Sequence, residues 1–304
     1  MMEMRKFDNK LGNRHRNQIE GSGTFASAIL LKHDDPSTIK MRTSTKKYLL
    51  LRLLKYVLLD ILKNRMVLFY TLFLLATSFG LFSMSGDPTK GIASLLTIVL
   101  LVSPLLSLIF STIYFYNSYE FIELLSAQPI QRKTILYSQY WGLCISLIVA
   151  LVIGLGIPLL LFAPGKAALS LLIVSCGLTM AFVSLALLAA LLTRDKARGI
   201  GLSLLLWFYF TFIYDALMLM IMFAYIDYPM ETLTLTMISL NPIDLARVIV
   251  LLQLDVSALM GYTGAMLQDL FSSGKGVLLA SGVMLIWILA PLRLAIKLFN
   301  KRDL

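Results

Sequence analysis

The sequence predicts an all-α membrane protein. It has six transmembrane helices, an N-terminal interfacial helix, and extracytoplasmic helices between the fifth and sixth spans. Three observations lead there. First, six apolar stretches are long enough to cross a bilayer: Met66 to Met84, Ile92 to Tyr116, Trp141 to Ala163, Ala167 to Leu192, Ile200 to Ile226 and Gly276 to Phe299. A hydrocarbon core about 30 Å thick needs ~20 helical residues. Second, the chain is 58% hydrophobic with a mean hydropathy of +0.81, whereas a soluble domain is about 45–50% apolar. Third, Lys and Arg cluster on alternate loops. Within a bilayer each backbone amide must find its partner inside its own segment, so the stretches are read as helices.

The basic residues set the expected orientation, because cytoplasmic loops carry the excess of Lys and Arg. One side holds the basic N-terminal region, Arg132 and Lys133, then Arg194, Lys196 and Arg198, and finally Arg293, Lys297, Lys301 and Arg302. The other side holds Lys90, Lys166, Arg247 and Lys275. Both termini are therefore expected in the cytoplasm, with the protein in a bacterial inner membrane. The net charge of +10 follows this topology. No basic patch interleaved with stacking aromatics forms a soluble module, so nucleic acid is excluded as a partner.

Residues 1–47 mix charge with Gly, Ser and Asn and read as a mobile basic cytoplasmic tail. The remainder, 48–304, reads as one six-span domain. The first apolar run follows some 45 polar residues, so no cleavable signal peptide is expected, and Met41 is an alternative start. Both histidines, His15 and His33, lie in the tail. From Tyr48 to Arg65, leucines recur at helical spacing against Arg52, Lys55, Lys63 and Arg65. That pattern suits an amphipathic helix at the inner headgroup layer, its cations toward membrane lipid.

Between the first two spans, Gly86, Asp87 and Pro88 supply turn chemistry. Pro104 lies in the second span, Gly154, Gly156 and Pro158 in the third, and Pro291 in the sixth. Each proline removes a backbone bond and favours a kink. Cys144 and Cys176 lie within spans and are read as packed thiols.

Three segments carry candidate function. After the second span, Glu120, Glu123, Leu124 and Leu125 belong to a short helix that Pro129 stops, and a second helix containing Arg132 runs on into the third span. A helix, a break and a basic pair directly under a membrane make an expected docking element; an ordinary solvated loop is the alternative. In the fifth span Asp215 is the one deep ionisable residue, and a charge at that depth is costly. At ~100° per residue, Thr211, Asp215, Met218 and Met222 share a face. That face suits a cation pathway, or simply an interior carboxylate beside packed methionines. The last segment, 227–275, is too long for a structureless connection. Asn241, Pro242 and Asp244 form a helix start, running through Leu254, and Ser257 is expected to cap a further helix. Arg247 falls one turn after Asp244. This outer segment is expected to lie on the membrane surface, covering the bundle or presenting Asn241, Asp244 and Arg247 to a periplasmic partner.

Catalytic motifs are missing. Gly165-Lys166 and Gly274-Lys275 lack the spacing and the Ser/Thr of a phosphate-binding loop. There is no zinc-binding His-Glu-x-x-His and no Gly-x-Ser-x-Gly elbow. A non-catalytic membrane subunit without cofactor or metal is expected.

From Lys47 onward the chain resembles ABC-2 family permeases, of the type V exporter-like fold. The docking loop carries the likeness as E-F-I-E-L-L-S-A-Q-P-I-Q-R, with Glu120, Leu124, Leu125, Pro129 and Arg132 in the family's positions. The basic-acidic-Ser-Gly lead-in is replaced by Asn117, Ser118 and Tyr119. Within the family it is similar to NosY-type permeases, which serve copper processing for nitrous oxide reductase. That likeness rests on GIGLSLLLWFYFTFIYD, Gly199 to Asp215, and on LNPIDLAR, Leu240 to Arg247. It implies a homodimer, a NosF-type ATPase in the cytoplasm and a NosD-type β-helical protein in the periplasm. It also implies that ATP hydrolysis by the separate subunit drives extracytoplasmic copper-site assembly. Rival expectations are an ABC-2 exporter of lipid or drug-like substrates, and a non-transporting membrane anchor for a periplasmic assembly.

Overall fold

The computed structural model describes residues 55, 57–126, 131–193, 195–225, 231–254 and 274–301. The tail, Pro129, Asp227, Asp255, Asp269 and the helix expected after Ser257 lie outside these residues. Among the described residues the chain is helical and contains no strand. Among the described residues six helices are long and apolar enough to cross a membrane.

Residues 57–62 are helical and bury Val57 and Ile61 against the bundle. Asp60 on this helix accepts the Tyr114 hydroxyl at 3.0 Å. Asn64 then caps α1 (Arg65–Ser85), accepting from the Met66 amide at 2.9 Å. The turn out of α1 needs Gly86, whose φ of 59° is left-handed and strained for residues bearing a Cβ. Asp87 next caps α2 (Pro88–Asn117), accepting from the Thr89 amide and hydroxyl at 3.0 and 2.8 Å. These hydrogen bonds, the hydroxyl's first, hold its carboxyl below the ordinary value. Cap, proline at the first position and glycine before them join two spans in very few residues.

After the short α3 (Tyr119–Ser126), the third span begins with α4 (Arg132–Leu151). It continues through a π turn at Val152–Gly156 into α5 (Ile157–Phe162). Pro158 lacks the amide that would close an α-helical turn, and the wider turn just before it absorbs that loss. The same turn brings Gly154 against α1. A Cβ there would stand 2.7 Å from the Leu74 side chain and 3.1 Å from the Thr71 carbonyl. Pro104 and Pro291, by contrast, lie inside unbroken helices.

The fourth span, α6 (Lys166–Leu192), is the centre of the bundle. Leu178, Phe182, Ala186 and Ala190 on it are fully buried. Polar bonds tie neighbours together: Ser103 to Thr179 at 3.1 Å, and Thr112 to Ser203 at 2.7 Å. Tyr116 bonds the Thr193 hydroxyl at 2.6 Å and the Ala190 carbonyl at 3.1 Å. Gly199 leaves room for that ring, since a Cβ would overlap it. The fifth span is α7 (Lys196–Phe208), a π turn at Tyr209–Ile213 and α8 (Tyr214–Ala224). Only 11% of it is buried, the least of the six.

The fifth and sixth spans are linked by α9 (Glu231–Leu240) and α10 (Pro242–Gln253), and the sixth span is α11 (Gly274–Lys301). The axes of α9 and α10 differ by 116° at the break between them. The sequence reads this segment as outer helices that cover the bundle or present a patch to a partner. Ile243, Leu245, Ala246 and Val250 of α10 are buried, packed among α6, α2 and α11. The capped apolar helix finds its burial inside the bundle. The sequence also offered no separate reading of α9, whose polar threonines hide its helical pattern.

Candidate functional site

The bend between α9 and α10 carries the polar site. Asn241 closes it with three hydrogen bonds. Its Oδ1 accepts from the Ile243 amide at 3.0 Å, the helix cap that the sequence signature predicts. Its Nδ2 donates to the Phe210 carbonyl at 3.0 Å and to Asp244 Oδ2 at 2.8 Å. Phe210 belongs to the π turn of the fifth span, where carbonyls depart from the α-helical ladder and stay open to outside donors. Two further bonds seat the bend. Trp287 Nε1 donates to the Ser239 carbonyl at 3.1 Å, and the Tyr214 hydroxyl to the Met237 carbonyl at 2.6 Å.

Phe210 is midway along Lys196–Ala224, and Trp287 is midway along Gly274–Lys301. The bend is therefore held near the middle of the two helices, against the body of the bundle. Backbone that breaks its helix at membrane depth is tolerated where protein supplies the missing partners. Here Asn241 supplies them and is itself fully buried.

Charge follows from the same placement. One turn along α10, Arg247 Nη1 meets Asp244 Oδ1 at 3.1 Å. The same guanidinium lies 3.4 Å from Asp215 Oδ2 through both Nη1 and Nη2. Asp215 thus pairs with a residue 32 positions away. Arg247 and Asp215 are partly exposed, at 40% and 34% of their side chains, while Asp244 is at 6%. The guanidinium bridges a carboxylate of the fifth span and one of α10, mechanically linking the two elements. Two carboxylates share one cation, so the group is electrically unbalanced unless a proton or counter-ion joins it.

The structure divides the other sequence candidates. Thr211, Asp215, Met218 and Met222 are all half-buried, on the stripe between the bundle-facing and outer sides of the fifth span. Thr211 lies in the π turn, so an α-helical count of 100° per residue does not carry through it. Its hydroxyl is buried with no hydrogen-bond partner among the described residues. Of the expected partner-contact residues, Asn241 and Asp244 face inward, and Arg247 alone reaches the surface. Among the described residues no group of three or more His, Cys, Asp or Glu side chains forms a metal cluster. On α3, Glu120, Glu123 and Leu124 are exposed together, while Ile122 is buried. Leu125 is helical, and its side chain lies outside the described set; Arg132 starts α4 and is half-buried.

Six helices of spanning length and apolarity mark a multi-pass membrane protein. Residues 67–304 match the family model described as ABC-2 family transporter protein, and the chain belongs to that family. Among curated proteins none matches the chain. Members of this family are generally non-catalytic membrane subunits that work with an ABC ATPase.

Proposed function

We propose that two copies of this chain form the permease of an ABC transporter whose separate ATPase docks on α3. The exposed face of Glu120, Glu123 and Leu124 carries this reading. These residues are three and four apart and share one helix face, and Ile122 anchors the opposite face. Leu125, Pro129 and Arg132 complete the docking loop in sequence. An acidic patch suits a basic rim on the partner, where charge sets recognition and association rate. On the fifth span, Leu205, Phe208, Phe212, Leu219 and Phe223 are exposed. That broad aromatic face is the surface offered to the second copy.

Both termini and α3 are assigned to the cytoplasm of a bacterial inner membrane, following the loop charges. Closure of the ATPase would then move α3 and the helices it joins, and the Asp215–Arg247 link would carry motion of the fifth span to α9 and α10. The NosY-like motifs Gly199 to Asp215 and Leu240 to Arg247 meet at this link. Their meeting supports a role in extracytoplasmic copper-site assembly for nitrous oxide reductase, with a NosF-type ATPase and a NosD-type periplasmic protein as partners.

Co-purification tests the docking. Glu123→Arg should weaken ATPase capture at least tenfold while the permease still inserts. Unchanged capture would remove α3 as the docking site. Arg247→Ala should leave ATPase capture intact and impair maturation of the copper enzyme. Normal maturation would favour an exporter of another cargo.

A further inference from the structure

A groove runs between α1, α2 and α4 on the side where the first span begins. Arg65, Met66, Val67, Phe69 and Tyr70 line one wall, and Leu106, Ile109, Phe110 and Leu147 line the rest. Its volume is about 330 Å³. Tyr70, Phe110 and Leu147 form a buried floor, and Phe69 stands exposed at the rim. Arg65 contributes its one charge. It is the first residue of α1, so it stands where the span enters the bilayer. Among the described residues no carboxylate lies within salt-bridge distance of it.

We propose that this groove holds one anionic phospholipid of the surrounding leaflet, its acyl chain on Tyr70, Leu106 and Leu147 and its phosphate on Arg65. The exposed Met66 and Phe69 at the rim turn the groove toward the surrounding bilayer, where a lipid chain is the neighbouring molecule. Charge chooses among lipids. A guanidinium binds phosphate oxygens through paired, charge-assisted hydrogen bonds. Lys63, exposed two residues earlier, adds positive potential at the same level and favours a headgroup with net negative charge over a zwitterion.

A second groove provides the control. It lies on the other flank of α1, is about 360 Å³, and is lined by Leu62, Leu68, Leu72, Val149 and Ile153 among others, with no charged residue. It has the volume for a chain and no cation to select a headgroup. Of the two grooves, the first combines both requirements.

The full permease, purified and reconstituted with equal phosphatidylglycerol and phosphatidylcholine, is analysed for retained lipid by native mass spectrometry. One phosphatidylglycerol per chain should survive, with little phosphatidylcholine. Arg65→Gln, at an exposed position, should lower retention roughly tenfold, the effect of losing one charged hydrogen-bonding partner. Arg65→Lys should restore much of it. Leu106→Trp should fill the groove and also lower retention, while Leu72→Trp in the second groove should not. Equal retention of the two lipids would overturn the proposal, as would undiminished phosphatidylglycerol in Arg65→Gln. Should Leu106→Trp instead break association between copies and spare lipid retention, the groove holds a protein surface and the proposal fails.

Discussion

Replacing Asn241 by Ala tests the bend between α9 and α10 directly. The variant loses the cap on the Ile243 amide, leaves the Phe210 carbonyl buried without its donor, and strips a donor from Asp244. A lost cap costs about 1 kcal/mol. A buried carbonyl left bare costs ~1 kcal/mol or more. Loss of a donor to a charged group costs about 1.5 kcal/mol. The total is about 3.5 kcal/mol, reduced toward 2 if alternative partners form within the membrane. Asn64 is the internal reference. It also caps a helix, accepting from Met66 at 2.9 Å, but at the exposed start of α1. Asn64→Ala should lose only the cap, about 1 kcal/mol. Thermal melting of the two variants in detergent, followed by tryptophan fluorescence, compares them, and Asn241→Ala should melt several degrees lower. Equal loss in both would refute the reasoning, because burial and the bond to Phe210 would then add nothing to an ordinary cap.

Asp215→Asn should weaken the link to Arg247 and raise hydrogen exchange across Pro242–Gln253, with little change in Arg65–Ser85. Gly154→Ala should cost roughly 1–3 kcal/mol by forcing α1 from the π turn, while Gly80→Ala, with nothing within 4 Å of a new Cβ, should leave melting unchanged. Because its hydrogen bonds lower the Asp87 carboxyl, their stabilisation is complete above the ordinary value of 3.8 and fades as pH falls through the lowered one. The melting advantage of the native chain over Asp87→Asn should therefore shrink on acidification below pH ~4. Reporter fusions after Lys90 and Lys166 should fall on one side of the membrane and those after Lys133 and Lys196 on the other.

Much of the fold was legible because a bilayer imposes a one-dimensional rule. A segment such as Lys166–Leu192 must be apolar, helical and of a certain length wherever it sits in the bundle. The cap at Asn241 is equally local: it bonds the amide two residues on, so spacing reveals it, whereas Asp87, which caps α2 in the same way, reads in sequence only as part of a turn. The π turns were not legible. A bonding shift of one residue at Tyr209–Ile213 leaves no hydropathy trace, and it depends on what neighbouring helices accept or fill. Nor was the depth of α10. Its pattern of Ile243, Val248 and Ile249 suits a membrane surface as well as a protein interior.

Local chemistry in the chain therefore determined that Asn241 starts a helix, that Arg247 follows Asp244 by one turn, and that Asp215 is a costly charge in a span. Only the tertiary structure decided that these are one site. The pairing of Asp215 with Arg247 crosses 32 residues, and no periodicity encodes a contact between two separately capped helices. It arises because the bend must bury its broken backbone. Asn241 supplies the donor that the Phe210 carbonyl accepts, and that bond seats α10 so that Arg247 lies beside Asp215.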